Sequence, residues 1–110
     1  MGRQTIDLVP YARDAASLMG ANVRLERTNR GWTAAELAAR AGCSRYTVAA
    51  IEHGRSAVAF GHVLNVCAAL GVPLFVPDPP ELARLSQVQQ QILRLIPSRV
   101  RPKAGRSGDF

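Results

Sequence analysis

Lysine is almost missing from this 110-residue sequence: one stands beside thirteen arginines. Acidic side chains are few as well, eight against 14 basic ones, which leaves a net charge of +6. Aromatic residues number six and cysteines two. Cys43 and Cys67 cannot build a disulfide framework or a zinc site, and His53 and His62 do not supply the missing ligand spacing. No apolar run approaches the roughly 20 residues of a membrane-spanning helix. Met1 to Thr5 show no signal-peptide stretch, so the expectation is a cytoplasmic protein with no membrane partner. A Gly-rich phosphate loop, a nucleophile elbow, a carboxylate pair and a Cys–His constellation are all absent, which predicts a non-enzyme without a cofactor.

The apolar fraction of 47% is enough for the core of one small domain. The basic excess favours a polyanionic partner, with nucleic acid first. Arginine suits that partner because its planar fork can bond phosphate or guanine through two parallel hydrogen bonds.

Along the chain, residues 1–16 read as an N-terminal extension, with Asp7 to Pro10 leading into a short helix. From Ser17 the spacing of Leu18, Ala21, Leu25 and Thr28 is helical, and Asn29-Arg30-Gly31 gives a stop signal. Thr33 and Glu36 form a capping-box pattern that opens a short helix ending at Gly42. Ser44 then caps a second short helix, Arg45 to Glu52, which ends near Gly54. Two short capped helices joined this tightly form a helix-turn-helix layout, and the alanines at 34, 35, 38, 39 and 41 let them pack closely. Residues 57–71 read as a further core helix, completing a domain over residues 17–71.

Beyond Gly71 the pattern changes. Val72, Leu74, Phe75 and Val76 are apolar and β-leaning, and Pro73 restricts them to an edge strand. A lone strand in a helical chain leaves unpaired backbone groups, so it is expected to pair with its copy in a homodimer; an extended linker is the alternative. Helical spacing resumes from Glu81 to Leu95, so residues 72–96 read as a dimerisation strand plus a C-terminal helix. That helix could pack on its own domain, extend the dimer or hold a second protein. Residues 97–110 form a basic tail too poor in apolar residues to fold, either a solvated end or an added grip on phosphate.

The run Gly20…Arg24-Leu25…Arg27…Gly31-Trp32-Thr33…Glu36-Leu37-Ala38…Ala41-Gly42…Ser44…Thr47-Val48…Ile51-Glu52…Gly54, continued by Leu64…Ala68-Ala69-Leu70-Gly71-Val72, resembles the Cro/phage-repressor (XRE) helix-turn-helix family. The resemblance implies an all-α fold, a five-helix lambda-repressor-like DNA-binding domain, to which the residues add the short strand and the C-terminal helix. In such domains the third helix enters the major groove of double-stranded DNA with its N-terminal end first. The resemblance then carries base contacts to Arg45, Tyr46, Ala49 and Ala50, and phosphate contacts to Thr33 and Ser44. It also maps a structural ion pair onto Arg27 and Glu52. Arg24, Arg40 and Arg55 are further phosphate candidates from their charge. Ala34 and Ala50 stand where family members often carry Gln and a polar base reader, which leaves Arg45 with most of the direct readout.

Function follows as an expectation: a homodimeric, sequence-specific repressor on a palindromic operator. The short chain and lack of a separate ligand domain favour an antitoxin similar to the HigA/HipB type of type II toxin–antitoxin systems. Such a protein represses its own operon and neutralises a cognate toxin. The alternatives are a stand-alone regulator and a protein-interaction module that does not bind DNA.

Overall fold

A computed structural model describes residues 6–75 and 78–98. They form five helices: α1 (Pro10–Asn29), α2 (Ala34–Ala41), α3 (Arg45–Glu52), α4 (Phe60–Leu70) and α5 (Pro79–Leu93). The chain divides into two compact units, Met1–Pro77 with the first four helices and Asp78–Phe110 with the fifth. No helix among the described residues is long and apolar enough to cross a membrane.

The short helix anticipated after Pro10 and the one anticipated from Ser17 are a single element of 20 residues. Pro10 occupies the first turn, where its missing N–H costs nothing, and no breaker follows before Gly20. Gly20 keeps its place inside the helix because α1 meets α3 there. A Cβ atom at this position would lie 2.8 Å from the Glu52 carbonyl oxygen and closer still to that of Ile51. Arg30 ends the helix, and Gly31 follows in the left-handed conformation.

α2 and α3 arise from the local signals already described. The Thr33 hydroxyl accepts from the Glu36 amide at 3.1 Å, and the Glu36 carboxylate accepts from the Thr33 amide at 2.7 Å. Gly42 closes α2 at φ 74°, a left-handed conformation in which a side chain would be strained, and so turns the chain sharply into α3. Leu37, Ala38 and Ala41 of α2 bury against Val48 and Ile51 of α3, with Val23 from α1 and Val66, Cys67 and Leu70 from α4 completing the core. None of these buried residues is polar or charged.

The expected strand does not form among the described residues. An isolated bridge at Leu74 is the only β feature there. Three local causes act together. Val72 is buried in its own domain's core and donates its amide to the Cys67 carbonyl at 2.9 Å, as part of the α4 C-terminus. Pro73 has no amide to donate. Phe75 sits at φ +79°, outside the extended region, with its side chain 93% exposed. Leu74 is half-buried against the same core. Val72 and Leu74 thus pack on the core of their own domain. Val76 lies outside the described residues, as do residues 1–5 and the tail from 99.

Candidate nucleic-acid interface

α3 is a helix of eight residues, too short to be stable alone, so its neighbours must hold it. Three features do so. Its inner face, Val48 and Ile51, is buried. Its front is fixed by Ser44, whose hydroxyl accepts from the Thr47 amide at 3.1 Å and lies 3.1 Å from the Thr47 hydroxyl. Its rear is clamped to α1 by a two-pronged ion pair: Arg27 Nε donates to Glu52 Oε2 at 2.6 Å, and Arg27 Nη2 donates to Oε1 at 3.0 Å. The third arm of the same guanidinium, Nη1, donates to the Trp32 carbonyl at 2.9 Å. The clamp is largely shielded from water, and the hydrogen bond to Glu52 holds the Arg27 guanidinium above its ordinary pKa. Spacing alone placed Arg27 and Glu52 on different helices, and the fold brings them together.

The front of α3 faces outward. Tyr46 is 71% exposed and Arg45 is exposed beside it. Arg45 Nη2 donates to the Tyr46 hydroxyl at 3.2 Å, and its guanidinium carbon lies 5.1 Å from the centre of the Tyr46 ring. The two side chains thus form one cationic and aromatic ledge at the helix start. Ala49 and Ala50 are half-buried, and with Tyr46, Thr47, His53, Arg55 and His62 they line an open concavity alongside the helix. At its far end the His53 ring nitrogen Nδ1 lies 2.7 Å from the Ala49 carbonyl, where the imidazole occupies a helix C-terminus.

The remaining candidate arginines differ from one another. Arg24 and Arg55 are exposed, and Arg55 stands at the rim of the concavity. Arg40 is exposed but lies over the Trp32 ring at 4.1 Å, with Arg30 at 5.4 Å from the same ring. Sequence spacing gave no sign of this stacking, because Trp32 and Arg40 meet only once the turn before α2 is built. Thr33 and Ser44 are exposed at the N-termini of α2 and α3, and each hydroxyl accepts from an amide of its own helix. The two thiols are different in kind. Burial raises the pKa of both, which keeps them as thiols instead of reactive thiolates.

Two short helices, the first crossing behind the second, with the second's front end left open and basic, define a helix-turn-helix DNA-binding domain. The chain belongs to the helix-turn-helix domain family, which it matches over residues 18–85. It is 36% identical over 77 residues to a protein described as "Neisseria hypothetical transcription factor", from Neisseria meningitidis serogroup B (strain ATCC BAA-335 / MC58). That match spans 70% of this chain and 73% of the relative. Among solved structures, the crystal structure of the hypothetical transcription factor from Neisseria has a TM-score of 0.51 at 31% identity, covering 76% of this chain and 99% of that one.

Proposed function

We propose that the protein is a sequence-specific DNA-binding transcriptional repressor of the XRE type, acting as a homodimer on a palindromic operator. One observation carries the reading. The exposed side chains in the first turn of the clamped helix α3 are a bidentate donor and an aromatic ring already held together, Arg45 and Tyr46. In this reading Arg45 donates to guanine O6 and N7. Tyr46 lies against a thymine methyl or donates to phosphate, and Ala49 and Ala50 offer only apolar contact. Thr33 and Ser44, with the free helix-start amides, meet the backbone phosphates, and Arg24, Arg40 and Arg55 add charge around them. Because two half-sites are needed for specific affinity, the reading includes a second copy.

The finer role proposed is that of an antitoxin similar to the HigA/HipB type, which would bind its own promoter and neutralise a toxin. The exposed apolar side chains of α5 support a protein-binding duty beside the DNA-binding one. A stand-alone regulator is the second reading, favoured by the description of the similar Neisseria protein as a hypothetical transcription factor.

Fluorescence anisotropy with a duplex from the upstream region of its own gene, against an unrelated duplex, tests the reading over a salt series. Tighter binding to the former, lost in Arg45→Ala, is the expected result. Equal affinity for both duplexes removes the specific-repressor reading. Co-purification with the product of an adjacent gene tests the antitoxin role, and the absence of any such complex removes it.

A further inference from the structure

The concavity beside α3 has two walls. Tyr46, Ala49, Ala50 and His53 of α3 and its end form one. The other is built by the loop that follows, with Arg55 and Ser56, and by Ala59 and His62 at the start of α4. The loop is tied down on three sides. The Arg55 amide donates to the Ala50 carbonyl at 3.0 Å, and the Ser56 hydroxyl accepts from the Ile6 amide at 3.1 Å. Gly54 lies so close to α1 that a Cβ atom there would stand 3.3 Å from the Ser17 backbone.

Charge around this hollow is of one sign. Its titratable lining groups are Arg55, His53, His62 and the Tyr46 phenol, with no carboxylate among the described residues. On the side of α1 that meets α3, within about 40° of Gly20, stand Arg13 and Arg24, whereas Asp14 lies about 120° away. The other acids of α1 to α3 are engaged: Glu26 with Arg30, Glu36 with the Thr33 amide, and Glu52 with Arg27. Arg40 of α2 lies over Trp32, and α4 has no titratable group besides His62 and the buried Cys67. Ala59 gives the start of α4 no side-chain cap, which leaves that helix end a further preference for an anion.

The ring of His53 adds a chemical condition. Its Nδ1 lies 2.7 Å from the Ala49 carbonyl oxygen, an atom that only accepts, so Nδ1 carries the proton. The other nitrogen, Nε2, accepts while the imidazole is neutral and donates once it is protonated. A phosphate oxygen only accepts, so it bonds the imidazolium and not the neutral ring. Histidine changes charge between about pH 5 and pH 8.

Size then says where the phosphates lie. A helix with its side chains is about 10–12 Å across and the major groove about 12 Å wide, so groups flanking a seated α3 meet the groove's edge. We infer that His53 and His62 are proton-dependent phosphate contacts, holding the DNA backbone beside α3 as imidazolium ions, so that the grip on DNA tightens as pH falls. The inference rests on the DNA-binding reading above and adds two residues to its interface.

Fluorescence anisotropy of the full chain across pH, with the duplex from upstream of its own gene and with an unrelated one, tests the inference. From about pH 8 to about pH 5.5 wild-type affinity is expected to rise about tenfold or more. Both duplexes should respond alike, since phosphate contacts carry no sequence information. The log–log salt dependence should steepen by about 0.9 for each imidazolium that meets a phosphate. His53→Gln with His62→Gln keeps hydrogen-bonding groups without a titratable charge. It is expected to abolish both responses, with unchanged helical circular dichroism. Arg55→Ala removes a permanent charge from the same rim and is expected to weaken binding alike at every pH. Wild-type affinity that does not change with pH overturns the inference, as does a response that survives in the double variant. A response confined to the upstream duplex overturns the phosphate assignment in favour of base contacts. A wild type that binds neither duplex at any pH removes the DNA-binding reading itself, and the inference with it.

Discussion

Gly20 and Glu52 meet with no room for a methyl group: a Cβ on Gly20 would stand 2.8 Å from the Glu52 carbonyl oxygen. Two turns further along α1, Arg27 grips the carboxylate of the same residue with both prongs of its guanidinium. Close backbone approach and ion pair together fix the angle at which α3 is presented.

Gly20→Ala is therefore expected to destabilise the domain, although alanine is the better helix former. Alanine's propensity gain of about 1 kcal/mol is outweighed because the methyl group meets backbone rather than a yielding side chain. Urea denaturation should show a net loss of about 1–3 kcal/mol, and a more stable variant would mean that α1 and α3 can separate without cost.

Breaking the clamp on one side should cost more than removing it whole. Glu52→Ala leaves a largely shielded guanidinium with only the Trp32 carbonyl, and about 3 kcal/mol is expected. Arg27→Met combined with Glu52→Leu should recover much of that loss. A double-mutant cycle on chemical denaturation checks the coupling, and strict additivity would contradict it.

The cap of α3 is expected to act twice. Ser44→Ala removes the acceptor for the Thr47 amide, worth about 1 kcal/mol of stability. It should also weaken binding to all duplexes alike, since phosphate contacts carry no sequence information. Arg45→Ala should differ: unchanged stability, with about 1–3 kcal/mol lost on the specific duplex and much less on the non-specific one. Paired melting and anisotropy curves separate the two outcomes.

Both cysteines should be slow towards Ellman's reagent. Burial raises their pKa, so at pH 8 less thiolate is present than at an ordinary cysteine. Cys67, fully buried on α4 within the core, should react only on unfolding, while half-buried Cys43 reacts slowly in the native state. Rapid native labelling of Cys67 would show that the core opens there.

The parts of the fold that reading along the chain recovered are those governed by neighbours in sequence. Thr33 with Glu36, Ser44 with Thr47, and the glycines at 42 and 71 set helix ends through contacts within a few residues. The strand expected after Gly71 is not seen among the described residues for the complementary reason. Its β-leaning composition was visible, but the burial of Val72 against α4 was not. Likewise the short helix expected after Pro10 and the one expected from Ser17 prove to be one continuous element, Pro10–Asn29. Arg40 looked like one more free cation, and its place over Trp32 emerged only with the turn before α2 in three dimensions.

Local hydrogen-bonding rules and apolar periodicity, both short-range, thus specified the helix-turn-helix from the residues alone, while the placement of Arg45 and Tyr46 at its front came from the family resemblance. Long-range contacts decided the rest: the two-pronged geometry with which Arg27 reaches Glu52 across 25 residues, the burial of Val72 in the core, and the stacking of Arg40 over Trp32. Those outcomes depend on which surfaces remain uncovered after packing, a quantity that no window of neighbouring residues contains.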